Sequence, residues 1–264
     1  MLLGRLHKHI TRQNWFAVGL DFLIVVFGVG AALLGQQWLG NYQQREDMER
    51  AETAVNADLI SNYINAKERL GLTDCRVEAY QAIAEKLLEP TEDWTGMPRM
   101  LTDPDFNTIK LATPIVLRSP SRTWGSRFWD AELGRGTFNQ MDSYRRNKLD
   151  WIFTSAKEIG ERQRNIYTLQ GRMKTLAVAT KIGQSDRLRY LDMLGEIDDA
   201  SGMLEIVAGQ VITAIEDVGV DIPVELLQSD DMSLSSYNER TAAIYGDCVI
   251  PTTFHIFDKY LSDT

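Results

Sequence analysis

An all-α fold with one membrane-crossing helix at its N-terminus is predicted by three observations on the 264-residue chain. Residues 15–39 read WFAVGLDFLIVVFGVGAALLGQQWL and hold a single ionisable side chain, Asp21. Downstream, apolar residues recur at spacings of three and four over long stretches without proline, the period of an amphipathic helix. Most of the seven prolines (Pro90, Pro98, Pro104, Pro114 and Pro120) are gathered in one interval, which separates two helical blocks. The expected organisation is a basic tail (1–14), a transmembrane helix (15–39) and a helical domain (40–264). That domain divides into a stalk and second helix (40–89), a Pro/Trp-rich irregular part (90–136), an antiparallel helical hairpin (137–219) and C-terminal short helices (220–264).

The span comes first because the other segments are arranged about it. At about 1.5 Å per residue, residues 15–39 cover the ~30 Å hydrocarbon core of a bilayer with some tilt to spare. Trp15 and Trp38 bracket it as interfacial anchors do, and Arg5, Lys8 and Arg12 precede it. The tail carries +3, the span −1 and the whole chain −9, which leaves −11 on residues 40–264. Basic residues before the span place the N-terminus in the cytoplasm, and in a bacterium the large domain is then periplasmic, on the inner membrane. The competing reading is a secretory signal peptide with a cleavage site at Gly30-Ala31-Ala32. The apolar run continues to Leu39 and contains Asp21, both atypical of such a peptide.

A carboxylate about 9 Å of helix rise past Trp15 is costly in lipid unless neutral, hydrated or paired. Gly28 and Gly35 follow Asp21 at steps of seven, with Ala31 and Ala32 on or beside the same face. Gly28 with Ala32, and Ala31 with Gly35, are small-xxx-small pairs that let helices approach closely. This face is a candidate intramembrane contact, with a membrane protein partner or a second copy. The alternative is that Asp21 snorkels to the headgroups and the glycines are incidental.

From Asn41 to Leu70 the stripe Met48, Ala51, Val55, Leu59, Asn62, Ala66, Leu70 predicts a helical stalk. Thr73 is the expected N-cap of a second helix ending before Pro90, with Val77, Tyr80, Ile83, Ala84, Leu87 and Leu88 as its apolar face. In the irregular part, Asp103, Asp105 and Asn107 mimic the start of a calcium loop. Thr108 stands where glycine is needed and Pro114 where glutamate is needed, so no metal site is expected. Trp94, Trp124, Phe128 and Trp129 are either core or the lining of a partner or ligand surface.

Between Thr137 and Lys181 one long helix is predicted, bent at Gly160 or Gly171, with Phe138, Met141, Trp151, Ile152, Ile159, Ile166, Leu169, Met173 and Leu176 inward. Ser185 or Asp186 would cap the next, which runs to about Val218 on Leu188, Leu191, Leu194, Ile197, Ser201, Leu204, Ala208, Val211 and Ile215. A short turn near Gly183 makes the two antiparallel neighbours. Short helices near Pro223–Leu227 and Leu234–Tyr245 follow, and Phe254, Phe257 and Leu261 are expected to pack back onto the hairpin. Cys75 and Cys248 are the only cysteines, and in an oxidising compartment they allow one intramolecular bridge. The alternative is two buried thiols.

The run HITRQNWFAVGLDFLIVVFGVGAAL, with Gln13, Asn14, Trp15 and Asp21, resembles the N-terminus of an uncharacterised family of single-pass bacterial membrane proteins. The stretch from Trp124 through Gly136 to Tyr144-Arg145-Arg146 is similar to their middle part. Family members often carry Asn-Trp after the span, where this chain has Gln37-Trp38. The resemblance implies the topology and an all-helical extramembrane domain, and it implies no activity.

The same residues narrow the function. A domain this acidic repels a phosphate backbone, so no nucleic acid partner is expected; the basic tail suits the lipid bilayer. No catalytic constellation is found. His7 and His9 are two apart and share no helix face, and His255 sits alone in an apolar segment. Zinc spacing, a phosphate-cradling glycine loop and a nucleophile elbow are missing from the sequence. Asp198-Asp199 and Asp230-Asp231 are expected to be solvated surface. No enzyme activity, cofactor or metal is therefore expected. The leading expectation is a membrane-anchored periplasmic protein that binds or scaffolds other proteins, as an accessory subunit of a larger inner-membrane complex. The alternative is a periplasmic ligand-sensing domain. Fourteen residues before the span are too few for a signalling domain, so a sensor would signal through a partner protein.

Overall fold

The computed structural model describes residues 15–97, 117, 120, 122–220, 239, 242 and 248–250. Among them are five α-helices and one two-stranded sheet, so the fold is all-α. The helices are α1 (Trp15–Gly71), α2 (Thr73–Leu88), α3 (Arg127–Arg135), α4 (Ser143–Arg172) and α5 (Gln184–Val218). The strands β1 (Asp93–Trp94) and β2 (Thr180–Lys181) pair antiparallel, Asp93 opposite Lys181 and Trp94 opposite Thr180.

The chain forms two compact units, Met1–Arg50 and Ala51–Thr264. In the first, the described residues are all α1, helical without interruption, and from Gly19 they are long and apolar enough to cross a membrane. Its large side chains Phe22, Leu23, Ile24, Phe27 and Leu34 are exposed.

The second unit is built on α4 and α5. Lys148 near the start of α4 bonds Asp217 near the end of α5, and Thr175 just past α4 meets Tyr190 in the first turns of α5, so the two run antiparallel. Ile152, Ala156, Ile159 and Ile166 pack against Ile197, Leu204, Ala208 and Ile215, all buried. The α2 helix lies on α5 through Tyr80, Ile83 and Leu87. The part of α1 within this unit contributes Ala51, Val55, Leu59, Tyr63 and Ala66 to the core. Trp129 of α3 stacks between Phe138 and Phe153, with ring centroids 5.1 and 5.4 Å away.

Several sequence expectations need correction. Thr73 is the first residue of α2 and caps nothing; Leu72 holds the N-cap position without a side-chain bond. The long helix foreseen from Thr137 is broken. A 3-10 turn, Thr137–Gln140, precedes it, and Asp142 accepts from the Arg145 backbone N–H at 3.0 Å to start α4 anew. The helix passes Gly160 and Gly171 and stops at Arg172. Residues 173–183 are longer than a tight turn and contain a second 3-10 turn and β2. Gly183, rather than Ser185 or Asp186, holds the N-cap position of α5. The faces also differ: Val77, Leu88, Trp151 and Leu188 are exposed.

Helix ends follow local chemistry. Glu89, preceding Pro90, is extended (φ −59°, ψ 136°), as the proline ring demands, and α2 ends there. Gly136 closes α3 in the left-handed region (φ 76°), and its N–H reaches the carbonyls of Glu132 and Leu133. The last carbonyls of α2 are collected by a buried side chain from another helix. Arg187 donates to Lys86 O at 2.9 Å and also reaches Leu87 O, Glu89 O, Asp93 O and Ile182 O. A guanidinium suits a helix C-terminus by both its donors and its charge. Trp94 packs beneath it, with Lys86 Nζ 4.8 Å and Arg187 5.6 Å from the ring. The indole N–H bonds Leu176 O at 2.7 Å.

Cys75 and Cys248 form a disulfide, with Cα atoms 5.0 Å apart and a sequence separation of 173. Beside it, the Ile250 N–H donates to Gly71 O at 2.9 Å. The expected helices at 223–227 and 234–245, and the aromatic residues Phe254 and Phe257 with Leu261, lie outside the described residues apart from Glu239 and Ala242, which are helical. A crosslink closing so long a loop stabilises chiefly by restricting the unfolded chain. Replacing both cysteines by serine is expected to destabilise the protein by about 2–5 kcal/mol. Denaturant unfolding of the oxidised protein and the double variant checks this.

Candidate functional site

The residues proposed from the sequence fall in three places. Asp21, Gly28, Ala31, Ala32 and Gly35 all lie on α1 within the first unit and are exposed. Steps of seven drift only about 20° per heptad on a straight helix, so Asp21, Gly28 and Gly35 share a face. A Cβ added at Gly28 or Gly35 meets nothing within 4 Å. Trp38 is exposed and stacks on Tyr42 at 6.1 Å. Arg5, Lys8 and Arg12 lie outside the described residues, and of Trp15 only the helical backbone is described.

The aromatic group resolves differently. Trp94, Trp124 and Trp129 are buried, so they are core, and Phe128 alone is exposed. The acid pairs also part: Asp198, half exposed, forms an ion pair with Arg76, whereas Asp230 and Asp231 lie outside the described residues, as do Asp103, Asp105 and Asn107.

Two surfaces were not foreseen. The first is a polar cleft between α1 and α4, filled by the irregular segment that leads into α3. Gln170 Nε2 donates to Leu117 O (2.6 Å), Tyr167 Oη to Pro120 O (2.7 Å) and Gln163 Nε2 to Arg122 O (3.1 Å). From α1, Asn65 Nδ2 donates to Thr123 O (3.0 Å), and Asn62 exchanges two bonds with Gly125, both 2.8 Å. Asp58 completes the row by accepting from the Phe128 N–H in the first turn of α3 at 3.1 Å. Each helix presents a stripe at i, i+4, i+7: Asp58, Asn62, Asn65 on α1 and Gln163, Tyr167, Gln170 on α4. A Cβ at Gly125 would sit 2.6 Å from Asp58 Oδ1, so any side chain there would have to displace the Asp58 carboxylate. Glu68, buried, takes Arg122 in two bonds of 2.6 and 2.8 Å. Burial pushes the Asp58 carboxyl up, the Phe128 N–H opposes this, and the Asp130 charge adds to the rise.

The second surface is an open groove of about 500 Å³ between the start of α4 and the end of α5. Tyr144, Asn147, Lys148 and Trp151 line one wall, and Gln210, Thr213, Ala214 and Asp217 the other. Both sets follow i, i+3, i+4, i+7. Trp151, 42% exposed, is the residue the helical period had placed in the core. Lys148 crosses the groove, 5.3 Å from the Tyr144 ring and 2.6 Å from Asp217 Oδ2. Asp217 and then Tyr144 hold its ammonium above the usual lysine range.

Among the described residues no group of three His, Cys, Asp or Glu side chains is placed to hold a metal ion. No family model, curated protein or solved structure matches the chain.

Two predictions concern the polar cleft. Asn62→Ala removes both bonds to Gly125 and strands its backbone groups, and is expected to cost about 2–4 kcal/mol in denaturant unfolding. The raised Asp58 carboxyl means the folded state binds its proton more tightly. Its contribution to stability is therefore full below the unfolded value of about 3.9 and falls as pH rises through the raised folded value. The stability of the wild type relative to Asp58→Asn should decline across that window; a difference independent of pH would show that the carboxyl is not perturbed.

Proposed function

We propose that this chain is a non-enzymatic, single-pass protein of the bacterial inner membrane whose helical domain lies in the periplasm and binds or scaffolds other proteins. Its role is that of an accessory subunit in a larger membrane complex. The observation that carries the reading is the exposed face of α1 on which Asp21 is in line with Gly28 and Gly35. A carboxylate within an apolar span is stabilised by a polar partner, and small residues on the same face let a second helix come close enough to supply one. The basic tail against the acidic domain supports the orientation. The resemblance of residues 9–33 to a family of single-pass bacterial proteins supports the same topology.

A second reading, a ligand-sensing domain that signals through a partner protein, is favoured by the aromatic groove between α4 and α5. It differs in needing a small molecule on Tyr144 and Trp151.

Extraction of the full chain in mild detergent, followed by mass analysis of what stays bound, separates the two. A protein partner or second copy at fixed stoichiometry is expected, and Asp21→Asn should weaken its retention by about threefold or more, the worth of an interhelical polar contact in lipid. Retention unchanged in Asp21→Asn would remove the carboxylate from the contact. A lone monomer carrying a small molecule would favour the sensor.

A further inference from the structure

The α5 helix has two seams, and only one of them is used by the core. Ile197, Leu204, Ala208, Val211 and Ile215 are buried on the first. On the opposite face Asp192, Glu196, Asp199, Met203 and Ile206 follow one another at steps of four and three, and every one is exposed. The two apolar members, Met203 and Ile206, are 49% and 58% exposed. The same steps lead on to Gln210, Thr213 and Asp217, which form one wall of the groove faced by Tyr144 and Trp151. Alternating steps of four and three over several turns are the geometry by which one helix receives another along its length.

Two chemistries divide this exposed seam. Toward the end of α5 it is apolar and continues into the groove of about 500 Å³ that holds Trp151. Toward the start it is acidic. Asp198 is ion-paired with Arg76, but Asp192, Glu196 and Asp199 form no ion pair among the described residues, and Arg189, one turn earlier, pairs with none of them. Beside the seam run Gly195, Gly202 and Gly209 at steps of seven, and a Cβ added at any of them meets nothing within 4 Å. Glycine weakens a helix interior relative to alanine, and among the described residues no contact requires it there. Bare backbone at these positions lets a second helix axis come closer than larger side chains would allow.

We propose that the exposed seam of α5 is the docking surface for an amphipathic helix of another protein, apolar at its N-terminal end and basic at its C-terminal end, lying antiparallel to α5. Its apolar end enters the groove against Trp151 and Tyr144, the residue types that dominate binding energy at interfaces. Its lysines or arginines meet Asp192, Glu196 and Asp199, and the opposite charges select the partner and fix its direction. Basic residues near a helix C-terminus also suit that helix's own dipole. A second copy of this chain does not fit: parallel, it sets each acid against itself, and antiparallel about Met203 and Ile206 it sets Asp192 against Asp217. The three carboxylates likewise repel an anionic lipid surface. The proposal rests on that part of the proposed function in which the domain binds protein, and it is separate from the contact at Asp21.

The test uses the full chain in phosphatidylcholine nanodiscs, with empty nanodiscs as background. The probe is a fluorescent helical peptide of about three heptads, with leucines at the a and d positions of its N-terminal half and lysines at those of its C-terminal half. Saturable binding by anisotropy is expected. Trp151→Ala and Ile206→Ser should each weaken it about tenfold, with Tm showing that the variants fold. Asp192→Asn, Glu196→Gln and Asp199→Asn together should weaken it about tenfold and flatten its dependence on salt. Glu78→Gln, Glu85→Gln and Glu89→Gln together remove the same charge from exposed positions on α2 and should leave binding near the wild-type value. Gly202→Ala with Gly209→Ala should raise Tm and yet weaken binding. No saturable binding, equal binding of a peptide with glutamates in place of the lysines, or equal losses from the two acid triples would each overturn the proposal. Crosslinking of two copies through Met203→Cys would overturn it in favour of self-association. Asp21→Asn should bind the peptide as the wild type does, so failure here leaves the intramembrane contact standing.

Discussion

Backbone carbonyls outside a helix must find donors, and in the described part of this protein the sheet is too small to provide them. The segment entering α3 runs past two helices rather than beside a strand. Its carbonyls at Leu117, Pro120, Arg122, Thr123 and Gly125 are met by Gln170, Tyr167, Gln163, Asn65 and Asn62. The same bonds set the spacing of α1 and α4, because each side chain reaches the shared segment from its own helix. Position of α3, and with it the Trp129 stack on Phe138 and Phe153, depends on where that segment is held. Arg187 solves the equivalent problem at the end of α2, gathering carbonyls that no following turn can satisfy.

Much of the architecture was legible in the sequence because hydrophobic period is a property of neighbouring residues. The stripe Leu59, Ala66 on α1 and the stripe Ile197, Leu204, Ala208, Val211, Ile215 on α5 were marked by spacing alone and are buried. What was misread depends on distant partners. Trp151 fits the period of α4 yet faces outward, since the α5 wall opposite it is Gln210, Thr213, Ala214 and Asp217, with only one small apolar side chain. Asp142 begins α4 through a bond to Arg145 that a continuous apolar pattern conceals. Gln163, Tyr167 and Gln170 look like ordinary solvated positions until the chain they hold is placed beside them. Spacing puts Asn62 within an apolar stripe; it is buried there as an amide because Gly125 answers both of its polar ends.

The candidate surfaces divide in the same way. Asp21 with its glycines could be read from sequence, because a charge in an apolar run is visible without any tertiary information. The groove between α4 and α5 and the polar cleft between α1 and α4 each require two helices to be assembled before they exist. Their residues carry no short motif, only a spacing that any amphipathic helix shares. Electrostatics adds a further constraint: buried Glu68 and half-buried Glu205 are each matched by an arginine in two-bond contact.

The bridge between Cys75 and Cys248 also orders events in time. With the two cysteines 173 positions apart, the partner of Cys75 is made long after Cys75 itself. Throughout that interval Cys75 is an open thiol on the early helices. A chain halted anywhere before residue 248 keeps it, whereas one that includes Cys248 can lose it. Thiol status at this position thus distinguishes chains that extend past Cys248 from shorter ones, and a quality-control system able to sense exposed thiols would see the difference without inspecting the fold.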